Sequence, residues 1–425
     1  MKHFTSNHSN SRLQIANGRL LELGVGCLSQ AWMLALGIFF MTNASAQTTL
    51  KDAFKRDFLI GAALNKPVFS EQNTAEAALV KAQFNTISPE NVLKWESVHP
   101  RPGVFNFDDA DRYVEFGQKN KMVVVGHNLI WHEQTPKWVF QDDQGNPVDR
   151  ETLLARMREH IFTVVGRYKA GPNLNLISPR AREQIPSPAQ PGHGVINGWD
   201  VVNEALNEDG TLRQSPWEKI IGDDYLLKAC QFAHEADPQA QLYYNDYSLE
   251  NEPKRNGAIA LIKKLQSQGI KISAVGLQGH YKMDWPTTNQ LDETISAFSR
   301  LGVKVMITEL DMDMLPPATR SQAAEVSINV ARRAELNPYT NGLPDFMQQQ
   351  LAQRYADLFS VFVKHRESIS RVTFWGVTDG DSWLNDWPVR DRTAYPLLFA
   401  RDGKPKPAFD AVIKTALENL PGRKP

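Results

Sequence analysis

Cysteine is nearly missing from this chain: there are two in 425 residues, Cys27 and Cys230. Cys27 falls in an N-terminal stretch that reads as removable. Cys230 would then stand alone, no internal disulfide could form, and a hydrophobic core must supply the stability. Cys230 lies in a helical pattern from Tyr225 to His234, where a buried, inert thiol is expected. Neither sign of charge is in surplus. The formal net charge is −1, and −3 once Lys2, Arg12, Arg19 and Glu22 are gone, so a polyanion such as nucleic acid finds no basic surface. The apolar run Ala31–Met41 falls short of the ~20 residues of a membrane span. No Gly-rich phosphate loop follows any strand-like segment, which argues against a nucleotide-binding open sheet.

What is present begins with an export pattern. Lys2, Arg12 and Arg19 form a basic stretch, the apolar run follows, and Ala44-Ser45-Ala46 makes a small-x-small site. The pattern predicts a signal peptide over residues 1–46, cleavage before Gln47, and a secreted protein, extracellular or periplasmic, with no membrane attachment afterwards. A buried or membrane-lying N-terminal helix is the other reading. Ten Trp and ten Tyr suit a neutral, flat-faced ligand such as a sugar chain, and they suit an ordinary large core equally well.

Beyond residue 47, short apolar runs alternate with helical patterns. The strand candidates are Leu59–Leu64, Phe84–Ser88, Met122–His127, Ile196–Val202, Leu242–Asp246, Ile272–Leu277, Val303–Thr308 and Val372–Val377. Most are continuously apolar, as parallel strands covered on both faces are. Arg150 to Tyr168 carries an apolar stripe at helical spacing. Ser215-Pro216-Trp217-Glu218 has the form of a capping box with Pro at the first helical position, and the next helix should stop before Asp237-Pro238. Eight strands, each followed by a helix, predict an α/β fold, a single (β/α)8 barrel over 47–425. One segment breaks the rhythm: Gly171 to Gly194 holds five prolines. It falls after a helix and before the fourth strand, on the barrel face opposite an active site, and is expected to be an inserted surface loop.

Two strand ends carry a glutamate in a marked setting. Trp199-Asp200-Val201-Val202-Asn203-Glu204 closes the fourth and Val305-Met306-Ile307-Thr308-Glu309 the seventh. A glutamate there is costly to bury unless paired or used, and at the C-terminal end of a barrel strand it faces the active-site mouth. Two such groups supply what glycoside hydrolysis needs, a proton donor and a nucleophile or base. The bland alternative is a pair of structural carboxylates satisfied by Arg or Lys.

At these residues the chain resembles glycoside hydrolase family 10, the xylanases, from about Leu59 to Ala411. The matching stretches are Ser88-Pro89-Glu90-Asn91-Val92-Leu93-Lys94-Trp95, Gly126-His127-Asn128-Leu129-Ile130-Trp131-His132, Trp199 to Ala205, Tyr244-Asn245-Asp246-Tyr247, Gly276-Leu277-Gln278-Gly279-His280, Ile307-Thr308-Glu309-Leu310-Asp311, Phe374-Trp375-Gly376-Val377 and Asp381-Ser382-Trp383-Leu384. The resemblance implies Glu204 as acid/base and Glu309 as nucleophile. It implies Asn203 on the sugar 2-hydroxyl, His280 bonded to Glu309, Asp311 fixing that imidazole, and Gln278 as a further polar contact. Glu90, Asn91, Lys94, His127 and Trp131 resemble donor-side sugar contacts, Trp375 and Trp383 their aromatic walls, and Tyr247 an acceptor-side platform.

The substrates so implied are xylan and xylo-oligosaccharides, hydrolysed within the chain by a monomer that needs no cofactor. His127 with His132, or Asp311 with Asp313, matches no common metal spacing, so no metal is expected. Asp379-Gly380-Asp381 has a calcium-loop flavour without the later ligands. Asp200, Asp246 and Asp379 read as structural. The rival readings are a retaining β-glucanase or cellulase on the same barrel, and a non-catalytic sugar-binding barrel that has lost its chemistry.

Overall fold

Leu59–Leu64, LIGAAL, is buried along almost its whole length, which a strand tolerates only with cover on both faces. In the computed structural model, which describes residues 48–169, 195–318, 330–331 and 333–419, this segment is β1 of a closed barrel. The others are β2 (Thr86–Pro89), β3 (Val123–Ile130), β4 (Gly198–Asn203), β5 (Gln241–Asp246), β6 (Ala274–Leu277), β7 (Lys304–Asp313) and β8 (Ile369–Phe374). Every neighbouring pair is parallel, and β8 closes on β1 through Leu59 opposite Arg371 and Gly61 opposite Thr373. The expected (β/α)8 barrel is therefore the fold. The main core lies between the strands and the helices around them, with a smaller cluster of Val125, Tyr243, Ala274 and Met306. At Gly126 a Cβ would lie 2.1 Å from the Trp199 ring, so glycine lets that indole lie against β3.

The strands run further toward their C-terminal ends than apolar content suggests. β3 continues to Ile130, β4 to Asn203 and β7 to Asp313, because polar residues meant for the cleft still make ladder bonds. For β7 the extra partner is a short strand, His280–Lys282, which pairs with Asp311–Asp313 after β6 breaks at Gln278-Gly279. β8 starts three residues before the expected Val372 and stops before Gly376, whose φ of 125° ends it. Arg371 hid that start, since a buried arginine interrupts the apolar run.

The helix predicted from Arg150 spans Arg150–Arg167, capped by the Asp149 carboxylate on the Thr152 N–H. Ser215 accepts from the Glu218 N–H as the first half of a capping box does, but the helix is only Pro216–Ile221. Gly222, at φ 98°, ends it, and Tyr225–Ala236 follows, stopping before Asp237 as expected. Cys230 is buried there, and burial pushes its thiol up to about 12. No described helix is long and apolar enough to cross a membrane. The export pattern of residues 1–46 and the Pro-rich stretch Gly171 to Gly194 lie outside the described residues.

Candidate active site

Glu204 follows the last residue of β4 with φ 57°, a left-handed conformation that costs a non-glycine residue about 1–2 kcal/mol. Its backbone N–H bonds the Asn245 carbonyl of β5 at 2.9 Å, which fixes this turn out of the sheet. The side chain is 5% exposed. Oε2 accepts from the Trp131 indole N–H at 2.9 Å; Oε1 accepts from the Gln278 amide at 2.8 Å and from Asn203 at 3.3 Å. Burial, with the negative charges of Asp246 and Glu309 nearby, pushes the Glu204 carboxyl up to about 7, against the pull of the donors from Gln278 and Trp131.

Glu309 sits within β7 and is equally buried. Burial alone would raise its pKa. The bond from His280, the nearby His127 imidazole and the Asn245 amide outweigh that, and the carboxyl lies below the ordinary value. His280 Nε2 is 3.1 Å from Glu309 and Nδ1 is 3.0 Å from Asp311. Burial disfavours a charged imidazole, yet these two carboxylates lift His280 to about 10, so it is an imidazolium at neutral pH. Asp311 also accepts from the Trp383 indole N–H at 2.7 Å. One chain of bonds thus runs from an aromatic wall to the Glu309 carboxylate.

Around the two glutamates opens a cleft lined among others by Glu90, Asn91, Lys94, His127, Trp131, Asn203, Gln278, His280, Trp375 and Trp383. Lys94 donates to Asn91 at 2.9 Å and to Gln134 at 2.7 Å, with its ammonium 5.0 Å from the Trp131 ring centre. Burial lowers its pKa while Glu309, Glu90 and Glu204 oppose that. Burial raises Glu90, and Lys94 draws it back. His127 is held from behind by Asp200 at 3.0 Å, and Trp375 meets the His127 and His280 rings edge-on.

Tyr247 is the exception among the expected contacts. It is 5% exposed and not among the cleft-lining residues; its hydroxyl accepts from Arg213 at 2.8 Å and the Lys254 ammonium lies 3.4 Å from its ring centre. Two participants escaped the sequence reading. Asn245 donates to Glu309 at 2.8 Å and to Asn203 at 2.9 Å; its signal was its place at the end of an apolar strand. Gln134 lines the cleft from the loop after β3 and bonds Lys94 and Glu96. Among the carboxylates read as structural, Asp246 pairs with Lys254 at 2.9 Å and Asp379 with Lys406 at 2.9 Å, all four buried. Among the described residues no group of three or more His, Cys, Asp or Glu converges as metal ligands.

This geometry has relatives. The family model described as Glycosyl hydrolase family 10 matches residues 49–415. An endo-1,4-beta-xylanase A of Xylanibacter ruminicola is 43% identical over 89% of this chain and 97% of its own length. A solved endoxylanase of the same family from a sugarcane soil metagenome is 43% identical, covers 86% of this chain and 99% of its own, and superposes with a TM-score of 0.78. The intracellular xylanase TsXylA of Thermoanaerobacterium saccharolyticum, solved as a variant in complex with xylotriose, is 33% identical over 86% of this chain and 99% of its own, with a TM-score of 0.70. With the family model spanning nearly all the described residues, the chain belongs to glycosyl hydrolase family 10.

Proposed function

We propose that this chain is a retaining endo-1,4-β-xylanase with Glu204 as acid/base and Glu309 as nucleophile. The observation that carries the reading is the opposite ionisation of two carboxyls in one cleft. Glu204 keeps its proton up to about 7, and Glu309 is held anionic. That division of roles is what double displacement requires. The names of the relatives support xylan and xylo-oligosaccharides as substrates. Trp375 and Trp383 line the cleft, and aromatic walls there would crowd the C6 hydroxymethyl group that a hexose carries and xylose lacks.

In the first step the Glu204 carboxyl gives its proton to the glycosidic oxygen as that oxygen leaves C1. The Glu309 carboxylate attacks C1 from the opposite face and forms a glycosyl-enzyme. In the second step the Glu204 carboxylate takes a proton from water, whose oxygen attacks C1 and releases Glu309. Two inversions leave the β configuration. Asn203, bonded to both Glu204 and Asn245, takes in this reading the sugar 2-hydroxyl, through a bond that strengthens at the transition state.

Such a mechanism needs carboxyl groups ~5–5.5 Å apart, too close to admit an attacking water between base and sugar. Proton NMR of the first product released from xylo-oligosaccharides tests it, with the β-anomer expected. An initial α-anomer would mean inversion, and would make Glu309 a base.

A further inference from the structure

Glu76 and Asp381 lie outside the catalytic pair, yet they meet at the turn that leads into Trp383. Glu76 lies in the first turn of the helix Thr74–Gln83, and Asp381 in the turn after β8. Thr378 of that turn donates its hydroxyl to Glu76 Oε1 at 2.8 Å, and Asn65 donates its amide to Asp381 Oδ1 at 3.0 Å. The second oxygen of each carboxyl, Glu76 Oε2 and Asp381 Oδ2, is buried without a hydrogen-bond partner, and the two carboxyls are within bonding reach of each other. Each carboxyl therefore has a buried oxygen without a donor, beside a carboxyl in the same position. One hydrogen satisfies both oxygens.

We propose that Glu76 and Asp381 share a single proton, and that this carboxyl–carboxylate pair positions the Trp383 wall, so that loss of the proton weakens sugar binding. The surrounding cations are committed elsewhere. Lys406 is on Asp379, Lys66 on Asp109, Lys94 faces Glu90, and Arg401 bonds Asn385 and the Ala394 carbonyl. Glu90, itself close enough to feel Asp381, adds a further negative charge. A calcium ion would need six to eight oxygens, and the Thr378 hydroxyl already spends its hydrogen on Glu76. Burial and the neighbouring Asp381 hold the Glu76 proton up to about 7, so the pair splits into two anions as pH rises through neutrality.

The consequence reaches the sugar through a short path. Asp381 is followed by Ser382, whose hydroxyl accepts the Leu384 N–H at 3.2 Å and starts the turn of Trp383–Asn385. Trp383 stacks on Trp387 with ring centres 4.4 Å apart and donates to Asp311. Repulsion between Glu76 and Asp381 therefore loosens a residue that is at once a cleft wall and the outer end of the Asp311–His280–Glu309 chain. Glu76 and Asp381 are positioning residues, acting through Trp383.

The proposal rests on the sugar-binding reading above, and its test separates the two. Glu204→Gln removes the titration of the acid/base, which also falls at about 7. In that background, calorimetry with xylotriose from pH 5 to 9 should show affinity falling several-fold with a midpoint near 7. Adding Glu76→Gln supplies an amide donor that cannot be lost, so the profile should flatten at its acid-side affinity, and Asp381→Asn should do the same. An undiminished pH-dependent fall in the Glu76→Gln chain would overturn the proposal, as would a fall that added calcium reverses. Absence of xylotriose binding at every pH would instead overturn the functional reading. The melting temperature without sugar still decides the proton: a group whose folded pKa is raised loses stability as pH climbs toward that value. The chain with Glu76 should therefore lose melting temperature from about pH 5 to 8 relative to Glu76→Gln, and parallel curves would overturn the shared proton.

Discussion

Asn245 uses one amide nitrogen to hold both Glu309 and Asn203, and its own oxygen accepts from the Thr308 hydroxyl at 2.6 Å. Asn245→Ala leaves a buried carboxylate short of a donor, a loss of about 1–3 kcal/mol, which corresponds to roughly fivefold to 150-fold in kcat/KM if felt at the transition state. The sign of the pH effect follows from the same bond. Asn245 helps to keep Glu309 below the ordinary carboxylate value, so its loss moves the acid limb of the pH profile up. The alkaline limb, set by Glu204 near 7, should move little. A pH series of kcat/KM on a xylo-oligosaccharide checks both limbs, and an unmoved acid limb would remove Asn245 from the control of Glu309. At this scale the two glutamates were legible because charge at the end of an apolar run is anomalous. Asn245 follows the apolar Leu242-Tyr243-Tyr244 run just ahead of Asp246, but a neutral amide carries no anomaly. Gln134 had no signal: it comes from a loop with φ 45° and acquires a role only by meeting Lys94, Asn91 and Glu96 in space. Tyr247 was legible by its neighbours, yet Lys254 and Arg213 bury it in a way that no local pattern reveals.

At the scale of elements, apolar runs located all eight strands and blurred their ends, because site-facing polar residues prolong the ladders and Arg371 interrupts β8. The connection after β8 shows what else was hidden. Asp379 was readable as structural, but its partner Lys406, 27 residues away and just ahead of the helix Pro407–Glu418, was not. Lys406 gives Asp379 bonds of 2.9 and 3.1 Å and a third of 2.8 Å to the Tyr395 carbonyl. These tie the turn that carries Asp381 and Trp383 to the last helix. Burial and Lys406 pull the Asp379 carboxyl in opposite directions, with burial the larger, and its pKa ends above the ordinary value. Lys406→Met strands that carboxyl, and removing one partner of a buried pair costs about 3–5 kcal/mol. The urea midpoint should fall accordingly at neutral pH, and part of the loss should return at acid pH as Asp379 takes up a proton. A midpoint within experimental error of the parent would show that the pair contributes nothing net.

For the whole molecule, a closed parallel barrel separates chemistry from scaffolding by strand end, and the described residues on either side of Gly171 to Gly194 lie at the scaffolding end. The residues that flank it are already joined. The Ile196 N–H bonds the Tyr168 carbonyl at 3.1 Å, the Asn197 N–H bonds the Val124 carbonyl at 2.9 Å, and the Val124 N–H returns to the Asn197 side chain at 3.0 Å. The helix Arg150–Arg167 is thereby delivered to the start of β4 by described residues alone. Glu204 stands at the other end of that strand, six residues on, or about 20 Å at strand rise. Replacing 171–194 with a four-residue Gly/Ser linker should leave kcat/KM on xylan nearly unchanged. It should also raise stability, because closing the shorter loop forfeits less entropy, by about 1–2 kcal/mol for this change in length. Chemical denaturation and xylan turnover measured on the same preparation read both quantities. A folded variant with a large loss of turnover would show that the stretch reaches the substrate. A variant of lower stability would show that the stretch contributes contacts of its own, and the hydrogen bond between Tyr168 and Ile196 would then be insufficient to hold β4 in register.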